Sequence, residues 1–135
     1  MLSLAETWLR LHIGLFATAT PLLVRLPLGV LLRLTEGPGW FRPYRRWRAE
    51  QIQAMVDRRL ADPRMMRRRA CLRYGLVLYH FLRLAGLDAR LHFGLHPQAD
   101  AADAMRAHCW VTLAGRPINP PAGLELAAVR GADIL

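Results

Sequence analysis

The chain has 135 residues, 53% of them hydrophobic and 21% charged. That fits one globular domain with or without an extension, and excludes a disordered chain or two independent cores. Its 19 basic residues are all arginine and face 10 acidic ones, a formal net charge of +9, so an anionic neighbour is expected: nucleic acid, membrane headgroups or an acidic peptide.

The first region, residues 2–34, is strongly apolar, and between residues 11 and 32 the only formal charge is Arg25. A transmembrane helix needs about 20 apolar residues, but Pro21 and Pro27 interrupt this run. Ala17-Thr18-Ala19 has the small-residue form of a signal-peptide cleavage site, yet Arg10 and His12 leave little hydrophobic run ahead of it. An apolar helical N-terminal region is therefore expected, either packed on the rest of the chain or docked at a membrane surface.

Gly37-Pro38-Gly39 marks a loop. The aromatic and basic cluster Trp40-Phe41-Arg42-Pro43-Tyr44-Arg45-Arg46-Trp47-Arg48 follows. Two readings of it weigh equally: an amphipathic helix start whose rings pack while its arginines are solvated, or a cytoplasmic membrane interface. Stacked rings between arginines also suit single strands, but no nucleic-acid motif supports that, and no nucleic-acid partner is expected. Trp47, Ile52, Met55, Val56 and Leu60 recur at helical spacing, and Ala61-Asp62-Pro63 ends the helix.

From residue 65 a second helix carries Leu72, Leu76, Tyr79 and Arg83 on one stripe and stops at Gly86. Residues 89–95 alternate, with Leu91, Phe93 and Leu95 on one face, and predict a strand. A polar loop over 96–106, a strand over 108–113, a turn at Ala114-Gly115 and a short strand over 116–119 ending at Pro120-Pro121 complete the pattern. Helix followed by antiparallel sheet is an α+β arrangement. The expected organisation is an arginine-rich apolar helical region over 1–62 and a catalytic domain over 63–135.

The chemistry-bearing candidates lie in the second half. Cys71 falls at a helix start after Arg67-Arg68-Arg69. There the helix dipole and guanidinium groups favour thiolate, and free N–H groups can hold an oxyanion. Against this stands the general tendency of a free cysteine to pack as a small hydrophobe. His108 opens a strand after a loop, where an imidazole can serve a neighbouring helix start as base and acid. Cys109 alternates to the opposite face and reads as core, and as with Cys71, two cysteines are too few for a disulfide scaffold and read as free thiols in a reducing compartment. His12, His80, His92 and His96 receive no chemical role. A zinc set from Cys71, His92, His96, His108 and Cys109 lacks a ligand spacing, so no metal is expected.

Three segments carry a resemblance: Cys71-Leu72-Arg73-Tyr74-Gly75-Leu76-Val77-Leu78-Tyr79, then Leu84-Ala85-Gly86-Leu87-Asp88-Ala89-Arg90-Leu91-His92-Phe93-Gly94-Leu95, then Ala107-His108-Cys109-Trp110-Val111. Together they resemble the transglutaminase-like cysteine proteases of lasso peptide biosynthesis, the leader peptidases, over roughly residues 67–124. The resemblance implies a transglutaminase or papain-like α+β core, a nucleophile at Cys71 and a base at His108, with no metal or organic cofactor. It also implies removal of the leader from a ribosomally made precursor before an ATP-dependent macrolactam cyclase closes the ring. The leader is usually presented by a small recognition protein. Residues 1–62 do not read as that β-rich module, so it is expected in trans.

Two positions depart from the family. Tyr74 stands where members often carry Arg, and Pro120 stands about where the third catalytic residue, an Asp, usually falls. Asn119 is the natural substitute, since an amide can orient an imidazole, and it reads equally as a turn residue before two prolines. A two-residue hairpin loop at Ala114-Gly115 pairs Leu113 with Arg116 and puts Asn119 opposite Trp110; a three-residue loop puts Pro120 there instead. Both registers fit the sequence.

The function expected is therefore a cytoplasmic cysteine endopeptidase that removes the leader from a lasso-type precursor with Cys71, His108 and Asn119, membrane-associated if the N-terminal region docks there. The alternatives are an inactive transglutaminase-like scaffold or peptide-binding component of the maturation machinery, motivated by Pro120, and a basic adaptor resting on the Trp40 cluster. Transamidation is a further reaction the same dyad could run.

Overall fold

A computed structural model gives the fold and describes residues 1–64, 70–95 and 107–118. Helix α1 spans Leu4–Leu23, α2 Leu28–Glu36, α3 Ala49–Leu60 and α4 Ala70–Leu84; strands β1 Ala89–Leu95, β2 Ala107–Leu113 and β3 Arg116–Pro117 form one antiparallel sheet in the order β1-β2-β3. The arrangement is α+β, as the sequence predicts.

Ser3 caps α1, its hydroxyl accepting from the Glu6 N–H at 3.1 Å, and Glu6 pairs with Arg10 one turn on at 2.7 Å. Leu9, Ile13, Ala17 and Thr20 turn inward. Pro21 sits in the last turn, and Pro27 at the N-cap of α2, so the two prolines divide the long apolar run into two helices. Among the described residues no helix is long and apolar enough to cross a membrane.

The aromatic cluster is not a helix start. Residues 39–46 form turns, and the Tyr44 N–H bonds to the Leu84 carbonyl at 3.2 Å instead of entering a helical ladder. The cluster splits: Tyr44 is buried and Trp47 packs against the core, whereas Trp40 and Phe41 are exposed. Helix α3 starts only at Ala49, where the Gln51 side chain accepts from the Arg48 N–H at 3.0 Å, and it buries Ile52, Val56 and Leu60 at i, i+4 spacing.

Helix α4 is the centre of the molecule. It contacts α1, α2, α3, β1 and β2, and every residue from Leu76 to Leu82 is buried. A helix surrounded on all sides buries its whole circumference, so over its middle turns the stripe expected for it widens to every face, while Leu72, Arg73, Tyr74 and Arg83 stay half-buried. Its C-terminus is a Schellman motif. Gly86 takes φ 78°, its N–H bonds to the Arg83 carbonyl at 2.9 Å, and the Leu87 N–H reaches the Leu82 carbonyl at 3.1 Å.

The core is continuous across the chain: Leu9 and Ile13 of α1, Leu31 of α2, Ile52 and Val56 of α3, Phe81 of α4 and Val111 of β2 belong to one cluster. Its polar inclusions are local. His80 donates from Nδ1 to the Thr35 carbonyl at 2.7 Å and stacks on Phe16 at 4.2 Å, and His12 Nδ1 is bonded to the Tyr44 hydroxyl at 2.6 Å. Burial lowers the pKa of both histidines, that of His80 to about 4.

In the sheet, Leu113 pairs with Arg116 and Thr112 with Pro117. Ala114 and Gly115 take φ 49° and 81°, the two positive values of a type I′ turn, whose twist matches a two-residue hairpin. Of the two registers left open by the sequence, the structure adopts the two-residue one. The third strand pairs over Arg116–Pro117; Pro117 sits at the non-hydrogen-bonded pair with Thr112, where its missing N–H costs the ladder nothing, and the Ile118 N–H bonds to the Val111 carbonyl at 3.1 Å. Asn119, where the sequence expects the strand to end, lies outside the described residues.

Candidate active site

Cys71 is the second residue of α4 as described, the position where the sequence expects free backbone N–H groups and the positive end of the helix dipole. One turn later comes Gly75, which is buried against β2. A β-carbon there would lie 2.6 Å from the Cys109 sulfur and 3.1 Å from Leu91 Cδ1. Without a side chain, the glycine lets the first turns of α4 rest directly on the sheet. The contact residue, Cys109, is the immediate neighbour of His108 in β2, which pairs with Gly94 of β1. The helix that carries Cys71 and the strand that carries His108 thus touch where Gly75 meets the Cys109 side chain, one turn and one residue away from the two candidates. For these two residues the structure describes the backbone; their side chains, Asn119, Arg67 to Arg69 and the loop over 96–106 lie outside the described residues.

The two faces of the sheet differ. Ala89, Leu91, Cys109 and Val111 are buried in the core cluster, and the expectation that Cys109 is core holds. On the alternate positions His92 stacks on Trp110 at 5.5 Å with an interplanar angle of 14°, and bonds through Nε2 to the Thr112 hydroxyl at 2.8 Å. Trp110 and Thr112 are buried too. His108 stands two residues before Trp110 in the same strand.

Helix α3 braces this region through residues the sequence did not single out. Asp57 accepts from the Tyr74 hydroxyl, and the Gln53 side chain donates to the Ile118 carbonyl at 3.2 Å. Burial first, then Asp57, raises the pKa of Tyr74 above its ordinary value. The residue that departs from the family pattern is therefore a tie between α4 and α3. Gln53 holds the residue next to Asn119. Their i, i+4 spacing on the polar side of α3 is the only sequence sign of this pair, and any solvated helix face shows it.

Among the described residues no group of three or more His, Cys, Asp or Glu side chains is placed to hold a metal ion. His12 and His80 belong to the helical core, packed around Phe81.

A buried central helix followed by a small antiparallel sheet defines a domain of the α+β class. Residues 15–129 match the sequence profile of the Transglutaminase-like superfamily, and the chain belongs to that superfamily, whose members are often cysteine peptidases and transferases. The match begins within α1, so it takes in most of the N-terminal helices as well as the region of Cys71 and His108. No curated protein and no solved structure matches the chain.

Proposed function

We propose that this protein is a cysteine peptidase that removes the leader from a ribosomally made precursor of the lasso type. The observation that supports a Cys–His site is the packing of α4 on β2, seen where Gly75 meets Cys109, since these two elements carry Cys71 and His108. In the proposed reaction His108 takes the Cys71 proton and the sulfur attacks the scissile carbonyl. The first-turn N–H groups of α4 hold the oxyanion. Collapse breaks the C–N bond, the leaving amine takes the proton from His108, and an acyl-enzyme remains. Water, deprotonated by His108, then releases the leader as its carboxylic acid and regenerates the thiol.

Asn119 is proposed to orient His108. What supports this is the two-residue register of Leu113 and Arg116, the one in which the sequence expects Asn119 opposite Trp110; Asn119 itself lies outside the described residues. The lasso specificity rests on the sequence resemblance, as do the partners: the precursor leader, a leader-recognition protein in trans and a macrolactam cyclase. In this reading residues 63–135 carry the chemistry in the cytoplasm, and 1–62 form its helical support.

A second reading, an inactive scaffold or peptide-binding component, is favoured by Pro120 at the usual Asp position. The deciding experiment incubates precursor and recognition protein with the wild type, Cys71→Ala or His108→Ala, and reads products by mass spectrometry. Leader release lost in both variants supports the peptidase. Retained precursor binding with no release by the wild type supports the scaffold.

A further inference from the structure

Among the described residues, every large hydrophobic side chain left exposed lies between Met1 and Phe41. The densest group is on α1. Leu9, Ile13 and Ala17 are committed to the core, while Leu4, Trp8, Leu11, Leu15 and Leu22 form a second stripe at spacings of four, three, four and seven on the outer side. These outer residues are 91%, 66%, 58%, 71% and 66% exposed. A helix needs one apolar stripe to join a core, so the outer one is surplus to folding. It borders an open groove of about 660 Å³ lined by Leu11, Gly14, Leu15, Ala19, Leu22 and Arg59 among others. Arg58 stands next to it, lining an adjacent recess with Arg10. Among the described residues no carboxylate pairs with Arg58 or Arg59.

We propose that the outer face of α1 docks on the surface of an anionic phospholipid bilayer, its leucines and Trp8 entering the headgroup–acyl boundary and Arg58 and Arg59 meeting lipid phosphates. The charge decides the occupant. A second copy would bring like arginines and a second +9 chain together, whereas anionic headgroups complement them. Leucine and tryptophan beside arginine are the side chains that lie in a membrane interface. The geometry is surface attachment, not insertion across, because the inner stripe of α1 is already packed on α4. Trp40, Phe41 and the arginines Arg42, Arg45 and Arg46 continue the same composition beyond α2.

The test is co-sedimentation of the full chain with vesicles of phosphatidylcholine containing phosphatidylglycerol, against phosphatidylcholine alone, at low and high salt. Wild type is compared with Leu11→Gln/Leu15→Gln and Arg58→Ser/Arg59→Ser, each checked for folding by circular dichroism. Binding to the anionic vesicles should exceed that to neutral ones roughly tenfold, fall with salt, and drop roughly tenfold in each double variant. No binding to anionic vesicles, or unchanged binding by either folded variant, overturns the proposal. So does a dimer that sediments in the wild type and is lost in Leu11→Gln/Leu15→Gln without vesicle binding, which assigns the face to a second copy.

Discussion

Gly75 of α4 and Cys109 of β2 approach so closely that a β-carbon on the glycine would fall 2.6 Å from the cysteine sulfur. No pair of unbonded carbon and sulfur atoms rests at that distance, and a short cysteine side chain inside the core has little room to turn away. Gly75→Ala is therefore expected to push α4 from the sheet and cost about 1–3 kcal/mol, the usual range for overpacking. In a double-mutant cycle with Cys109→Ala, followed by urea unfolding, the two changes together should cost less than their sum. Leu91 Cδ1, at 3.1 Å, keeps the relief partial.

Alkylation of Cys71 should proceed well below the free-thiol pKa of about 8.5, and His108→Ala should return it to that value. Site-resolved mass spectrometry separates Cys71 from Cys109, which is buried and should react slowly. His108→Ala should also slow leader release by roughly a hundredfold to ten-thousandfold, the contribution of a general base. An ordinary Cys71 titration in the wild type would remove the physical basis of the peptidase.

His80 makes stability pH-dependent. Burial is the main cause that lowers its pKa from 6.5 to about 4, with His12 lowering it further and the bond to the Thr35 carbonyl opposing the shift. The unfolded chain therefore binds a proton between these values that the folded chain refuses, and stability falls as pH drops from 6.5 to 4. Above 6.5 the group is neutral in both states and contributes no slope. The full loss is about 3 kcal/mol at most. Urea midpoints across this window should flatten in His80→Phe, which keeps the stacking on Phe16, with the residual slope reporting His12, whose pKa is lowered in the same direction.

Tyr74→Phe removes the hydroxyl that donates to Asp57 and ties α4 to α3. A loss of about 1 kcal/mol is expected from a hydrogen bond of this kind, read by thermal unfolding. The aromatic ring and its packing remain, so leader release should change little.

The hairpin offers a test of Asn119. Ala114 holds φ 49°, a region that costs an alanine more than an asparagine or glycine. Ala114→Asn should stabilise the fold by roughly 0.5 kcal/mol by favouring the type I′ turn. With that register secured, Asn119→Ala should lower the rate of leader release and Asn119→Asp should largely restore it. Equal rates in all three proteins would assign Asn119 to the turn alone.

The elements that short-range chemistry specifies were legible in the sequence. Ile52, Val56 and Leu60 announce α3, the alternation that sets Leu91, Phe93 and Leu95 on one face announces β1, and Gly86 ends α4, because periodicity and caps act within a few residues. The placing of Cys71 on a helix and of His108 on a strand was legible as well. Tertiary structure alone decided the rest. Whether Tyr44 or Trp40 of one aromatic cluster is buried depends on Leu84, forty residues away from Tyr44 in the chain. Why Gly75 is glycine depends on Cys109, and why His80 is neutral depends on its burial among the helices, with Phe16 of α1 stacked on it. These are contacts between elements distant in sequence, and no local pattern records which surface a side chain will meet once α4 is enclosed on every side.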